Sequence, residues 1–162
     1  MELKKRKPIR LKDFDYSQDG VYFITICTEG RRNILSTIDI NQDLETAKTK
    51  LTPIGVIVEQ ELLRLPEKYP NMNIDTYIIM PNHIHVLISV INEEKSGSLL
   101  QDMVKTYKSI TTKICREKFA IQKVFQRSFY DHIIRSEKDY NNTFSYIQTN
   151  PGKWIYDKYY AD

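Results

Sequence analysis

The sequence predicts an α+β domain, one mainly antiparallel sheet with helices packed on it, and three observations predict this. The runs VYFITIC (21–27) and IDTYIIMPNHIHVLISV (74–90) are β-branched and aromatic, as strands are. The stretch SLLQDMVKTYKSITTKICREKF (98–119) repeats apolar residues at intervals of three and four, as an amphipathic helix does. Strand and helix signals then follow one another along a chain of 162 residues, a length that suits one domain with a sizeable core.

Taken in order, VYFITIC is the first strand, and RRNILSTIDI (31–40) is its expected hairpin partner. The polar NQDLETAKTK reads as a connection. In LTPIGVIVEQELLRLPEKYP, Thr52 can cap and Pro53 suits a first helical turn, so a helix is expected to end near Leu65-Pro66. IDTYIIM and HIHVLISV are two strands of a hairpin punctuated by Pro81-Asn82. After the loop INEEKSGS comes the long helix, with Leu100, Met103, Val104, Tyr107, Ile110 and Ile114 on one side and Lys105, Lys108, Lys113, Arg116 and Lys118 outside. FYDHIIR is a last strand. Ser136, with Asp139 three residues on, caps a helix expected to run to about Thr149 and to stop at Asn150-Pro151-Gly152. No repeat or linker divides the chain. Residues 1–162 read as a single domain, with a basic arm over about residues 1–12 and an aromatic tail over about residues 152–162.

Composition narrows the class. Five glycines and six prolines argue against disorder. Cys27 and Cys115 stand far apart without a CxxC, which fits a reduced compartment. No apolar run approaches the ~18 residues of a membrane span, and no hydrophobic stretch follows the basic N-terminus. A cytoplasmic protein is expected. The net charge of +3 is too small to prove a nucleic-acid partner, but MELKKRKPIR gathers Lys4, Lys5, Arg6, Lys7 and Arg10 in an arm of the kind that seeks phosphates.

Two of the three histidines stand in the most apolar part of the chain, in HIH. Residues i and i+2 of a strand share a face, so His83 and His85 point one way and Ile84 and Val86 the other. Their Cβ atoms fall roughly 7 Å apart, close enough for two imidazoles to close on one metal ion. The plainer alternative is a pair of half-buried histidines satisfied by backbone hydrogen bonds. His132 is alone, so Asp, Glu, Asn, Gln or water would complete any ion site.

A catalytic ion needs a nucleophile beside it. Among the tyrosines, Tyr146 has Asn150 four residues on, the spacing of one helix face. The pair can present a phenol and an amide oxygen to one site. Equally, a tyrosine can pack on the sheet while an asparagine caps the helix end.

Together these elements resemble a known family. PNHIHVL, a basic helix, and FYDHIIRSEKDYNNTFSYIQTNPGKW are similar to the REP-associated tyrosine transposases of the HUH group, as is the opening KPIRLKDFDYSQDGVYFITICTEGR. The resemblance covers nearly the whole chain. It implies a ferredoxin-like antiparallel sheet flanked by helices. It implies that His83, His85 and Asn150 bind a divalent ion, Mg²⁺ or Mn²⁺, and that Tyr146 is the catalytic nucleophile. The implied reaction nicks and rejoins single-stranded hairpin DNA through a 5′-phosphotyrosine, which stores the broken bond and needs no nucleotide cofactor. The DNA would lie against Lys5, Arg6, Lys7 and Arg10 of the arm and against Lys105, Lys108, Lys113, Arg127 and Arg135. His132 would touch DNA or support the site. The protein would act as monomer or homodimer. Two other readings stay open: a metal-dependent nuclease that activates water, and a noncatalytic DNA-binding module of the same fold.

Overall fold

The computed structural model describes residues 19–39, 47–91 and 99–156. The expected arm with Lys5, Arg6, Lys7 and Arg10, and the end of the aromatic tail, lie outside them. In chain order the elements are β1 (Gly20–Cys27), β2 (Ser36–Asp39), β3 (Lys48–Leu51), α1 (Pro53–Leu63), α2 (Leu65–Lys68), β4 (Met72–Ile79), β5 (His83–Val90), α3 (Leu99–Phe119), β6 (Tyr130–Ile134) and α4 (Glu137–Lys153). Short 3₁₀ turns span Glu29–Arg31 and Trp154–Tyr156.

β4, β5, β1 and β6 lie side by side in that order, each antiparallel to its neighbour. With α1 and α3 this is the ferredoxin-like arrangement that the resemblance implies. Alternation along β1 turns Tyr22, Ile24 and Ile26 to one face, and β5 adds Ile84, Val86 and Ile88. Against that face α1 packs Ile57, Val58 and Leu62, and α3 packs Leu100, Met103, Val104 and Tyr107. Each such aliphatic side chain contributes roughly 1.5–3 kcal/mol on burial. Tyr107 is fully buried and meets its polar need by donating from its hydroxyl to the carbonyl of Val58 at 2.9 Å.

The other face of the sheet carries the histidines and is covered by α4. Ser136 caps this helix, its Oγ accepting from the Asp139 amide at 3.1 Å, as the sequence predicts. Two side-chain hydrogen bonds fasten α4 to β4. The Tyr140 hydroxyl donates to Asp75 Oδ2 at 3.1 Å, and Gln148 Nε2 donates to Thr76 Oγ1 at 2.7 Å. The register of β4 against β5 shifts between Ile74 and Thr76, where Asp75 sits.

The Pro81-Asn82 turn is buried, unlike most turns. Its carbonyls are therefore paired: Pro81 O accepts from the Leu35 amide at 3.0 Å, and Asn82 O from the Thr28 amide at 2.9 Å.

Four expectations are corrected. The partner of β1 is not the segment after it. Both edges of β1 are taken by β5 and β6, and Ser36–Asp39 pairs with Lys48–Leu51 in a separate ribbon. The segment read as a connection thus ends in a strand. The first helix ends at Leu63 rather than Leu65-Pro66, and Pro66 opens the short α2. Finally, α4 runs through Asn150 and Pro151 to Lys153. Pro151 removes one helical hydrogen bond, but Pro151 and Trp154 are both buried, and that packing holds the last turn. Among the described residues no helix is long and apolar enough to cross a membrane.

Candidate active site

The register of β1 against β5 sets Thr25 opposite His85 and Cys27 opposite His83. Directly opposed residues share a face, so Phe23, Thr25 and Cys27 line the histidine side. Both imidazoles are buried, with ring centres 4.5 Å apart. Each Nδ1 is held. Asn82 Oδ1 lies 2.7 Å from His83 Nδ1, and Thr25 Oγ1 lies 2.8 Å from His85 Nδ1. An amide oxygen only accepts, so His83 Nδ1 carries the hydrogen, and in the neutral ring Nε2 carries the lone pair. Burial pushes the His85 pKa well below the usual histidine value, and the charges of His83 and Arg31 add to this. His85 is therefore neutral at neutral pH, the form in which imidazole ligates.

Tyr146 projects from α4 over this pair. Its ring centre is 5.3 Å from that of His85, and it meets the Phe23 ring edge-on at 6.0 Å. It is 41% exposed, so one side faces the rings and the other faces solvent. Lys153 Nζ lies 5.6 Å from the ring centre. One helical turn beyond Tyr146, Asn150 is buried, and Trp154 follows with its ring 6.2 Å from His83.

The donor set suits a divalent cation. Two imidazoles, each oriented through Nδ1, offer neutral nitrogen donors, and Asn150 lies on the helix that covers them. Among the described residues no three His, Cys, Asp or Glu side chains gather to hold an ion. A neutral ligand set leaves the full ionic charge for a phosphate.

The basic residues of α3 gather elsewhere. Lys105, Lys108, Lys113 and Arg116 line a groove of about 820 Å³, with Arg127 on its far wall. Lys108 Nζ donates to the carbonyl of Arg127 at 2.7 Å, and burial lowers the Lys108 pKa. His132 is not in this groove. It shares a shallow pocket with Tyr146, and its Nε2 meets Asp139 Oδ2 at 3.0 Å. Arg135 is exposed at the start of α4 and lines neither.

Sequence reasoning did not single out Thr25, Phe23, Asn82 or Trp154. Asn82 had a signal, its place directly before the histidine strand. Thr25 and Phe23 had none, because only the pairing register shows which β1 residues face the histidines.

Against known proteins, the family described as Transposase IS200 like matches over residues 17–150. An uncharacterized protein of Haemophilus influenzae is 34% identical, over 97% of this chain and 94% of its own length. A putative REP-associated tyrosine transposase of the same bacterium is 26% identical, over 91% of this chain and 84% of its own length. The solved structure of a REP-associated tyrosine transposase bound to a REP hairpin superimposes with a TM-score of 0.62 at 21% identity, covering 98% of this chain and 77% of that one.

Proposed function

The chain belongs to the IS200-like transposase family, among the REP-associated tyrosine transposases, and on that premise we propose that Tyr146 cuts and rejoins single-stranded DNA flanked by a hairpin. The observation that carries this reading is the placement of the Tyr146 ring against His85, one of two buried histidines side by side on β5. The likeness to a relative solved with a REP hairpin supports hairpin DNA as the partner.

In the proposed step the Tyr146 phenol oxygen attacks a backbone phosphorus. The new O–P bond forms as the bond to the 3′ oxygen breaks, and the phenol proton leaves for solvent while the departing 3′ oxygen takes one up. The product is a 5′-phosphotyrosine and a free 3′-hydroxyl. Attack by a 3′-hydroxyl reverses the step, restores the phosphodiester and returns Tyr146. No nucleotide is consumed, because the ester linkage is exchanged rather than hydrolysed. His83, His85 and Asn150 would hold Mg²⁺ or Mn²⁺, which when bound offsets the charge that builds on the phosphate oxygens. Thr25 and Asn82 fix the two rings, and Phe23 fixes the tilt of the Tyr146 ring.

The test is incubation with hairpin DNA, with and without Mg²⁺ or Mn²⁺, read on a denaturing gel as a protein–DNA adduct. The adduct is expected with the ion and lost in Tyr146→Phe and in His83→Ala. Cleavage that persists in Tyr146→Phe would establish a nuclease using water instead. Binding with no reaction on a varied set of hairpins would leave a noncatalytic DNA-binding module.

A further inference from the structure

Three concavities of the surface share walls. The pocket beside Tyr146, of about 340 Å³, is bounded by Phe23, Tyr130 and His132. Tyr130 also bounds a second pocket of about 370 Å³, which contains Cys27 and Arg31. Gln126, Ser128 and Phe129 are common to that second pocket and to the basic groove of α3. From Tyr146, past Tyr130, to the groove, the three concavities thus adjoin one another in series, a path across the surface.

Its floor is fixed. The Gln126 amide donates to the carbonyl of Cys27 at 2.9 Å, Phe125 bridges to Thr28, and the segment then enters β6 at Tyr130. Tyr130 is nonetheless 53% exposed and pairs with Thr25 in register, on the histidine face. The chemistry changes along the path. Aromatic rings stand at the Tyr146 end. Cations stand at the other, where Asp102 is the one carboxylate of the lining. An unpaired nucleic-acid strand has that character, a base with a stackable face and a charged backbone. In a duplex the bases are already stacked on one another and have no free face to lay on Tyr130.

We propose that this path seats an unpaired DNA strand, with one base stacked on Tyr130 next to the scissile phosphate and the backbone following Lys105 and Arg127 along α3. The proposal rests on the reading of Tyr146 as nucleophile only for which end of the path holds the scissile bond.

The test uses the full chain carrying Tyr146→Phe, so that binding is read without cleavage. Fluorescence anisotropy follows unpaired oligonucleotides in which one position at a time is abasic. One abasic position is expected to weaken binding roughly tenfold. In Tyr130→Ala that position is expected to lose its effect, while Tyr130→Phe keeps it. Lys105→Glu with Arg127→Glu is expected to weaken binding to every strand and to flatten its salt dependence. The proposal is overturned if no abasic position matters, if Tyr130→Ala leaves the abasic profile unchanged, or if a blunt duplex displaces the strand as well as an unpaired competitor does. The adduct assay runs separately on the parent chain. Strand binding along the path with no adduct on any hairpin would overturn the nucleophile and leave the path standing.

Discussion

Thr25 orients His85 through a hydrogen bond spanning sixty positions of sequence. A partner of this kind, holding the nitrogen that does not ligate, typically matters 10–100-fold for ion affinity or activity. Thr25→Val keeps the shape of the strand and is expected to lower adduct formation about tenfold while thermal unfolding barely moves. Gly55 makes the opposite case, a residue important to the fold and remote from the chemistry. A Cβ placed there would stand 1.9 Å from the carbonyl oxygen of Leu35, a backbone atom that cannot turn away. Gly55→Ala is expected to cost about 1–3 kcal/mol in denaturant unfolding. At this scale the sequence is half legible. HIH declares itself because alternation is local, and so does the four-residue step from Tyr146 to Asn150. The roles of Thr25 and Gly55 come from contacts with distant segments, which no spacing reveals.

Among the elements, α1 and β4 are joined by a link that titrates. Burial, and the hydrogen bond donated to Glu59 at 2.9 Å, push the Tyr77 phenol up to about 12. The folded chain thus keeps this proton to higher pH than the unfolded chain, in which a tyrosine titrates near ~10. The stabilisation is whole below pH ~10 and is lost as pH rises from about 10 to about 12. Unfolding midpoints are expected to fall across that window, and to fall less in Tyr77→Phe. Part of the remaining fall belongs to buried Tyr107, whose phenol is raised well above the usual value, chiefly by burial, and part to Tyr140, Cys27 and Cys115, which burial also raises. The long periodic helices and the β4–β5 hairpin were readable because their patterns are strong and self-contained. β3 was not, since Lys-Thr-Lys-Leu has little apolar content and becomes a strand only by pairing with β2. The end of α4 was misplaced because buried packing of Pro151 and Trp154 outweighs a sequence signal that ordinarily stops a helix.

For the molecule as a whole, the sheet divides the labour. One face is packed with aliphatic side chains against α1 and α3, and the other carries the histidines beneath α4. An antiparallel sheet with helices on it was legible from the succession of strands and helices, and its ferredoxin-like order from the family resemblance, whereas the gathering of cations into one groove with Arg127 was not. Tyr146 lies over His85 of its own chain. Mixing His83→Ala protein with Tyr146→Phe protein is therefore expected to yield no adduct. Restored activity would mean that α4 passes between subunits.

Because Tyr146 and Asn150 ride on a single helix, their relative bearing is set by counting residues. One alanine inserted between Gln148 and Thr149 would leave the phenol in place and swing the amide about 100° around the helix axis. Such a chain would keep every side chain of the site and lose their common aim, so the phase of α4 is as much a part of the site as the residues on it.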